Sequence, residues 1–308
     1  MSPLRDALER YITMRRGFGY KLRCEALLLA RFVAHMEQHG AAIITNKLAL
    51  DWATKEARPP TWPGRLSVVR VFAKYLSSTE PRTQIPPTNI LAARQRRTPY
   101  IYTDHEIGSV LDAMLTVRSA KGLHRRTYYC IFGLLAVTGL RIGEALRLTH
   151  DDVDLGAGLL TIRDTKFGKS RLVPIHSTTV AVLTDYAKCR DAICSPPISP
   201  TFFVGEQGRA LNHSAIHLIF RTVSRQIGLR CPGDAYRGPR IHDLRHSYAV
   251  ATLLRWYRAG DDVEQRLPIL STYLGHSNIN CTYWYLSACP ELMEHAARRL
   301  DARWEKAL

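Results

Sequence analysis

Three prolines and a basic run divide this chain. Pro81, Pro86 and Pro87 are followed by Arg94-Gln95-Arg96-Arg97. A proline ring removes a backbone donor and clashes with the preceding turn, so no continuous helix can cross this stretch. The interruption predicts two modules, residues 1–95 and 96–308. In the first, apolar residues recur at helical spacing. Helices are expected over Leu4 to Gly19, Lys21 to Gln38, Leu48 to Ala57 and Pro63 to Leu76. The second carries the stripe Leu22, Leu27, Leu28, Phe32, Val33 and Met36, and Gly40 stops it. The first module therefore reads as four helices, with Arg15, Arg16, Lys21, Arg23, Arg65 and Arg70 available to face phosphates or solvent.

The second module opens on Thr103 with Glu106 three residues later, a capping box for a helix to about Val117. Arg126 to Val137 should be a buried helix, ending at Thr138-Gly139, with a further helix from Arg141 carrying Ile142, Ala145, Leu146 and Leu148. Leu159 to Asp164 and Ser170 to Ile175 alternate with period two, so they read as a hairpin with Lys166 and Lys169 at its tip. Helices over Thr178 to Arg190 and Ser214 to Ile227, with a short strand at Phe202 to Val204 between them, lead to the helix from Arg240 to Tyr257. A short helix over Leu267 to Leu274, a turn near Cys281 to Leu286 and an amphipathic helix from Pro290 to Trp304 complete the chain. The fold class is mainly α with a small β-hairpin or sheet: a four-helix module, then an α+β module.

Charge narrows the partners. Over 308 residues, 43 Lys and Arg against 27 Asp and Glu leave a formal charge of +16, an excess that suits a polyanion such as nucleic acid. No apolar run is long enough to span a bilayer and no signal-peptide pattern opens the chain, which points to a cytoplasmic protein without a membrane partner. Seven cysteines, an odd number with no C-x-x-C pair, read as reduced thiols.

The chemistry is concentrated in four stretches. In Arg240-Ile241-His242-Asp243-Leu244-Arg245-His246, helical spacing puts His242, Arg245 and His246 on one face. Arg141 opens a helix, with Glu144 one turn on to orient it or to pair with Arg147. Two arginines can grip the non-bridging oxygens of one phosphate through planar forks and stabilise the added charge of a pentacovalent transition state. Lys166 or Lys169 can supply a proton to a departing oxygen if nearby arginines depress its pKa. Tyr283 and Tyr285, close after Leu274-Gly275-His276, are candidate nucleophiles. Other plans fit poorly. Clustered carboxylates for two metals are missing, since Asp151-Asp152 and Asp261-Asp262 adjoin turns. There is no P-loop. His242 and His246 have zinc spacing, but the arginine between them opposes a cation. No metal or other cofactor is expected.

Together these stretches resemble the tyrosine recombinases, the phage integrase and Xer group. Thr138-Gly139-Leu140-Arg141-Ile142-Gly143-Glu144 is similar to the family's first arginine box, His242-Asp243-Leu244-Arg245-His246 to its second and Leu274-Gly275-His276 to its third. The family's tyrosine lies nine residues beyond that histidine, at Tyr285. The resemblance spans the whole second module, and the first resembles the family's core-binding domain.

The resemblance implies that Arg141 and Arg245 clamp a DNA phosphate, His242 assists proton transfer and His276 hydrogen-bonds the phosphate. Tyr285 would attack to leave a 3′-phosphotyrosine and a 5′-hydroxyl, with neither metal nor ATP. It also implies a hairpin lysine just before an Arg-Leu-Val-Pro run. Arg171-Leu172-Val173-Pro174 sets that register and selects Lys166, with Lys169 as rival. Thr165 and Phe167 depart from the small residues usual there, and Trp256 to Arg266 looks inserted.

The expected partner is double-stranded DNA, held by a homotetramer on two duplexes or by an assembly with related recombinases, with the C-terminal helix docking on a neighbour or packing in cis. The expected activity is site-specific recombination or integration, in the service of a mobile element or chromosome. The alternatives are a type IB topoisomerase or telomere resolvase, and a non-catalytic DNA-binding protein of the same fold.

Overall fold

The computed structural model describes residues 2–55, 58–92, 97–163, 170–195, 198–231, 238–276, 278–285, 291–294 and 297–298. The chain forms two compact units, residues 1–97 and 98–308.

The first unit holds α1 (Pro3–Gly17), α2 (Arg23–Gln38), α3 (Asn46–Thr54) and α4 (Trp62–Leu76). Ser2 and Thr45 cap α1 and α3 through their hydroxyls, accepting from the amides of Arg5 and Leu48. Phe32, Val33 and Met36 of α2 meet Val69 and Phe72 of α4 and Trp52 of α3 in a core from which water is excluded. Each such side chain contributes on the order of 1.5–3 kcal/mol of burial. α2 starts later than the apolar pattern suggests, because Leu22 sits at φ 41°, a left-handed conformation that ends regular backbone before Arg23. Three of the six basic residues available to face phosphates or solvent are occupied within the unit, Arg15 lying over the Tyr20 ring at 3.8 Å from its centroid. Arg65 donates to the Trp52 carbonyl (2.6 Å), and Arg70 to the carbonyls of Pro86 and Pro87 (2.6 and 2.7 Å). Arg16, Lys21 and Arg23 stay exposed.

The second unit is built around α6 (Leu123–Thr138), whose Ile131, Phe132, Leu134 and Leu135 are buried. It packs against α5 (Asp104–Leu115), α8 (Ser177–Ile193) and α10 (Ile241–Arg258). The capping box of Thr103 and Glu106 forms as the spacing requires. A three-stranded antiparallel sheet runs in the order β1 (Val153–Asp154), β2 (Leu159–Ile162), β3 (Arg171–Pro174). Its register pairs Leu160 with Val173 and Ile162 with Arg171. α9 (His213–Gln226) precedes α10, while α11 (Val263–Leu274) and α12 (Asn280–Tyr283) follow it.

The structure corrects several boundaries. β1 has only two residues, too few for a periodic signal. The segment Phe202 to Val204 is not a strand. Its three residues are buried in succession and lie between isolated bridges, Thr149 with Thr201 and Val204 with Ala210. The helix after Arg141 is the single turn α7 (Ile142–Ala145), because the Leu148 carbonyl turns to accept from the Phe202 amide at 2.7 Å. Helix α11 begins before Leu267. Asp262 caps it by accepting from the amides of Glu264 and Gln265, and Pro268 is accommodated inside, so part of the apparent insertion is helical. Most of the expected C-terminal helix lies outside the described residues. Within them, Leu292 is fully buried beside Ala249, Leu253 and Leu274 of its own chain, the cis arrangement. Among the described residues no helix is long and apolar enough to cross a membrane.

Candidate active site

Two helix ends create the site. α6 stops at Gly139 and α11 at Gly275, both in the left-handed region (φ 62° and 68°) that glycine adopts without strain. A Cβ on Gly139 would lie 2.7 Å from Tyr248, and one on Gly275 would lie 2.6 Å from an Arg171 nitrogen, so close approach requires glycine as well. The carbonyls left at these C-termini carry partial negative charge, and arginines gather on them. Arg245, from the second turn of α10, donates to the Gly139 carbonyl (2.8 Å) and the Leu274 carbonyl (2.6 Å). Arg141 donates to the Gly275 carbonyl (3.2 Å).

Arg245 is 2% exposed. Burial, and then the charge of Arg141, lower its pKa to about 10, so it remains a cation at neutral pH. Its two carbonyl bonds occupy two of the five N–H groups a guanidinium offers.

Glu144 ties the second cation in place. Its carboxylate accepts from the Arg141 guanidinium (2.7 Å) and amide (3.0 Å), and from Arg171 (2.9 Å). Burial alone would raise the Glu144 pKa, but the hydrogen bond from Arg171 and the amide of Arg141 outweigh it and hold the group at about 2. Arg171 in turn donates through Nε to the Tyr273 carbonyl (2.7 Å). One buried carboxylate thus joins the start of α7, strand β3 and the end of α11, while Arg141 keeps 38% of its side chain exposed. Arg147, the other candidate partner of Glu144, does not take that place among the bonds formed.

The histidines line the same region. His242 is exposed, whereas His246 is buried, and their ring centroids are 4.8 Å apart. The surrounding protein and then the charge of Arg245 hold His242 at about 4. Burial and then His242 do the same for His246. His276 falls to about 3 through burial and then the charges of Arg245 and Arg141. All three are neutral at pH 7. The Nδ1 of His276 is 2.8 Å from the Thr282 hydroxyl, which leaves Nε2 for another partner.

Tyr285 is 2% exposed. Its ring stacks on His276 (centroids 5.9 Å apart) and lies edge-on to His246 (5.3 Å), and its phenol interacts electrostatically with Arg245. Tyr283 is 46% exposed and lies outside this cluster. The structure therefore brings together Arg141, His242, Arg245, His276 and Tyr285, residues up to 144 positions apart in the chain. Lys166 and Lys169 lie outside the described residues.

Arg171, whose Arg-Leu-Val-Pro run sets the hairpin register, is itself part of the ionic framework of the site. Its signal was present in the strand alternation: Arg171 shares the inward face with buried Val173, while Leu172 points outward and is 60% exposed. An arginine inside and a leucine outside invert the ordinary pattern and mark a buried ionic partner.

Residues 102–291 match the family model described as the phage integrase family. The chain belongs to the phage integrase family. A relative from Sinorhizobium fredii named as an integrase/recombinase is 50% identical over 312 residues, covering 99% of each chain. The tyrosine recombinase XerC of Herpetosiphon aurantiacus is 26% identical over 285 residues, covering 89% of this chain and 87% of its own. The structure of the XerH site-specific recombinase bound to palindromic difH substrate in a post-cleavage complex superposes with a TM-score of 0.66 at 20% identity, covering 88% of this chain and 77% of that one. This integrase is accordingly a tyrosine-type recombinase, a DNA-binding enzyme that breaks and rejoins DNA in site-specific recombination.

Proposed function

We propose that this recombinase cleaves one DNA strand by attack of Tyr285 on a backbone phosphate, without metal or ATP. The observation that supports this most directly is the convergence of the Tyr285 ring, His276 and the Arg245 guanidinium, with Arg141 held by Glu144 beside them. In the step proposed, the Tyr285 oxygen bonds to phosphorus and the bond from phosphorus to the 5′-oxygen breaks. The phenolic proton passes to a base, which neutral His242 can assist. The 5′-oxygen takes a proton from Lys166, with Lys169 as rival donor. The remaining N–H groups of Arg141 and Arg245 hold the non-bridging oxygens, and His276 donates to one of them through Nε2. The phosphotyrosine conserves the bond energy, so a 5′-hydroxyl can reverse the step and rejoin the strand. The guanidinium pair supplies the positive charge that a metal would otherwise bring, and it would repel a cation placed on His242 and His246.

Four protomers acting on two duplexes, with the first unit clamping duplex DNA through exposed cations such as Arg16, Lys21 and Arg23, complete the reading. The deciding experiment is Tyr285→Phe. The variant is expected to bind its DNA site as the wild type does, yet to form no covalent protein–DNA adduct. An adduct that persists in Tyr285→Phe, or that disappears only in Tyr283→Phe, refutes the assignment.

A further inference from the structure

We propose that His35, His39 and Asp51 in the first unit form a binding site for a late first-row divalent cation, with zinc the best match to the donor set. The three side chains come from two elements. His35 and His39 lie one turn apart at the end of α2, and Asp51 lies on α3. One ligand atom from each falls within 4.8 Å of the other two.

Three features distinguish this trio from an ordinary polar surface. First, the side chain of His35 is only 8% exposed, and its Nε2 makes no hydrogen bond even though Asp51 Oδ2 lies 3.4 Å away. A buried polar nitrogen left without a partner is costly, and a metal bond would satisfy it. Second, that separation fits a coordination polyhedron. Bonds of about 2.0–2.1 Å at tetrahedral angles place neighbouring ligand atoms about 3.3–3.4 Å apart. Third, His39 is already oriented. Its Nδ1 is 2.8 Å from the His35 carbonyl, so as a donor there it keeps the proton and leaves the lone pair on Nε2. The Asp51 side chain is exposed and can close the remaining distance, and water can take the fourth position.

The nearby cations do not block the site. Arg65 is held over the Trp52 ring (4.1 Å) and on the Trp52 carbonyl, and Lys55 is exposed to solvent. Two imidazoles and one carboxylate suit zinc, with copper and nickel next, rather than magnesium or calcium. A bound ion would tie the end of α2 to α3, and so stabilise the unit.

The test is titration of the full-length protein with zinc chloride, followed by calorimetry and by the thermal unfolding midpoint. The variants His39→Ala and Asp51→Asn alter exposed groups, so folding is preserved. The wild type is expected to bind one ion with a raised midpoint, and each variant at least tenfold more weakly with little or no rise. Absence of saturable binding by the wild type, or equal affinity in both variants, would overturn the proposal, the latter by placing the ion elsewhere, for instance on the exposed cysteines.

Discussion

Removing the charge of Glu144 tests the scaffold beneath the arginines. The carboxyl is held at about 2 against an ordinary 4.5. At about 1.4 kcal/mol per pKa unit, that difference corresponds to about 3 kcal/mol in favour of the folded state. The figure agrees with the ~3–5 kcal/mol lost when one partner of a buried ion pair is removed, since Glu144→Gln leaves Arg171 buried without its counter-charge. The sign follows from linkage: a depressed folded-state pKa adds stability that is complete above the unfolded pKa and disappears as pH falls toward the folded one. Urea unfolding of the protein should therefore show the second unit of Glu144→Gln about 3 kcal/mol less stable at pH 7. The gap should shrink to about 1–2 kcal/mol at pH 3, where the wild type has lost much of its own advantage. DNA cleavage should fall as well, because Arg141 loses the group that aims it. A deficit below about 1 kcal/mol at pH 7, or one that stays constant from pH 7 to pH 3, would refute the view that this carboxylate is the ionic centre of the site.

Other consequences can be measured directly. Gly275→Ala forces a Cβ against Arg171 at a backbone angle suited to glycine, and should cost about 1–3 kcal/mol in denaturant unfolding together with most of the cleavage activity. Buried His246, held at about 4, should make the wild type lose stability as pH drops from about 6.5 toward 4, because the unfolded chain takes up the proton first. In His246→Gln the slope of stability against pH over that range should be shallower, and an unchanged slope would contradict the burial argument. EDTA should leave adduct formation at saturating protein intact, whereas raising salt from about 50 to 200 mM should weaken DNA binding by orders of magnitude. Loss of adducts in EDTA would restore a metal to the chemistry.

Much of this protein could be read before any coordinates. Helix period predicted the four helices of the first unit, and the proline-rich break marked where helical continuity ends. Local rules sufficed there, because capping of α1 by Ser2 and of α3 by Thr45 depends on neighbours within a few residues, and the same holds in the second unit for the capping box of Thr103 and Glu106. Local rules failed where distant packing overrode them. Phe202 to Val204 looks like a strand but is buried without a ladder, and Val153–Asp154 joins a sheet that its own two residues cannot announce.

The motif residues and their order were determined by the sequence alone. Which of them meet was not, because that depends on two helix ends reaching the same place. Only the tertiary structure brought the carbonyls of Gly139, Leu274 and Gly275 to the two guanidinium groups, and only there does Glu144 find Arg171 across 27 positions of chain. It also set the two tyrosines apart, placing Tyr285 against His246 and His276 and leaving Tyr283 half-exposed outside that cluster. The physical reason is that periodicity tells which face of an element is apolar, while the partner of a buried charge is chosen by the packing of elements far away in the chain.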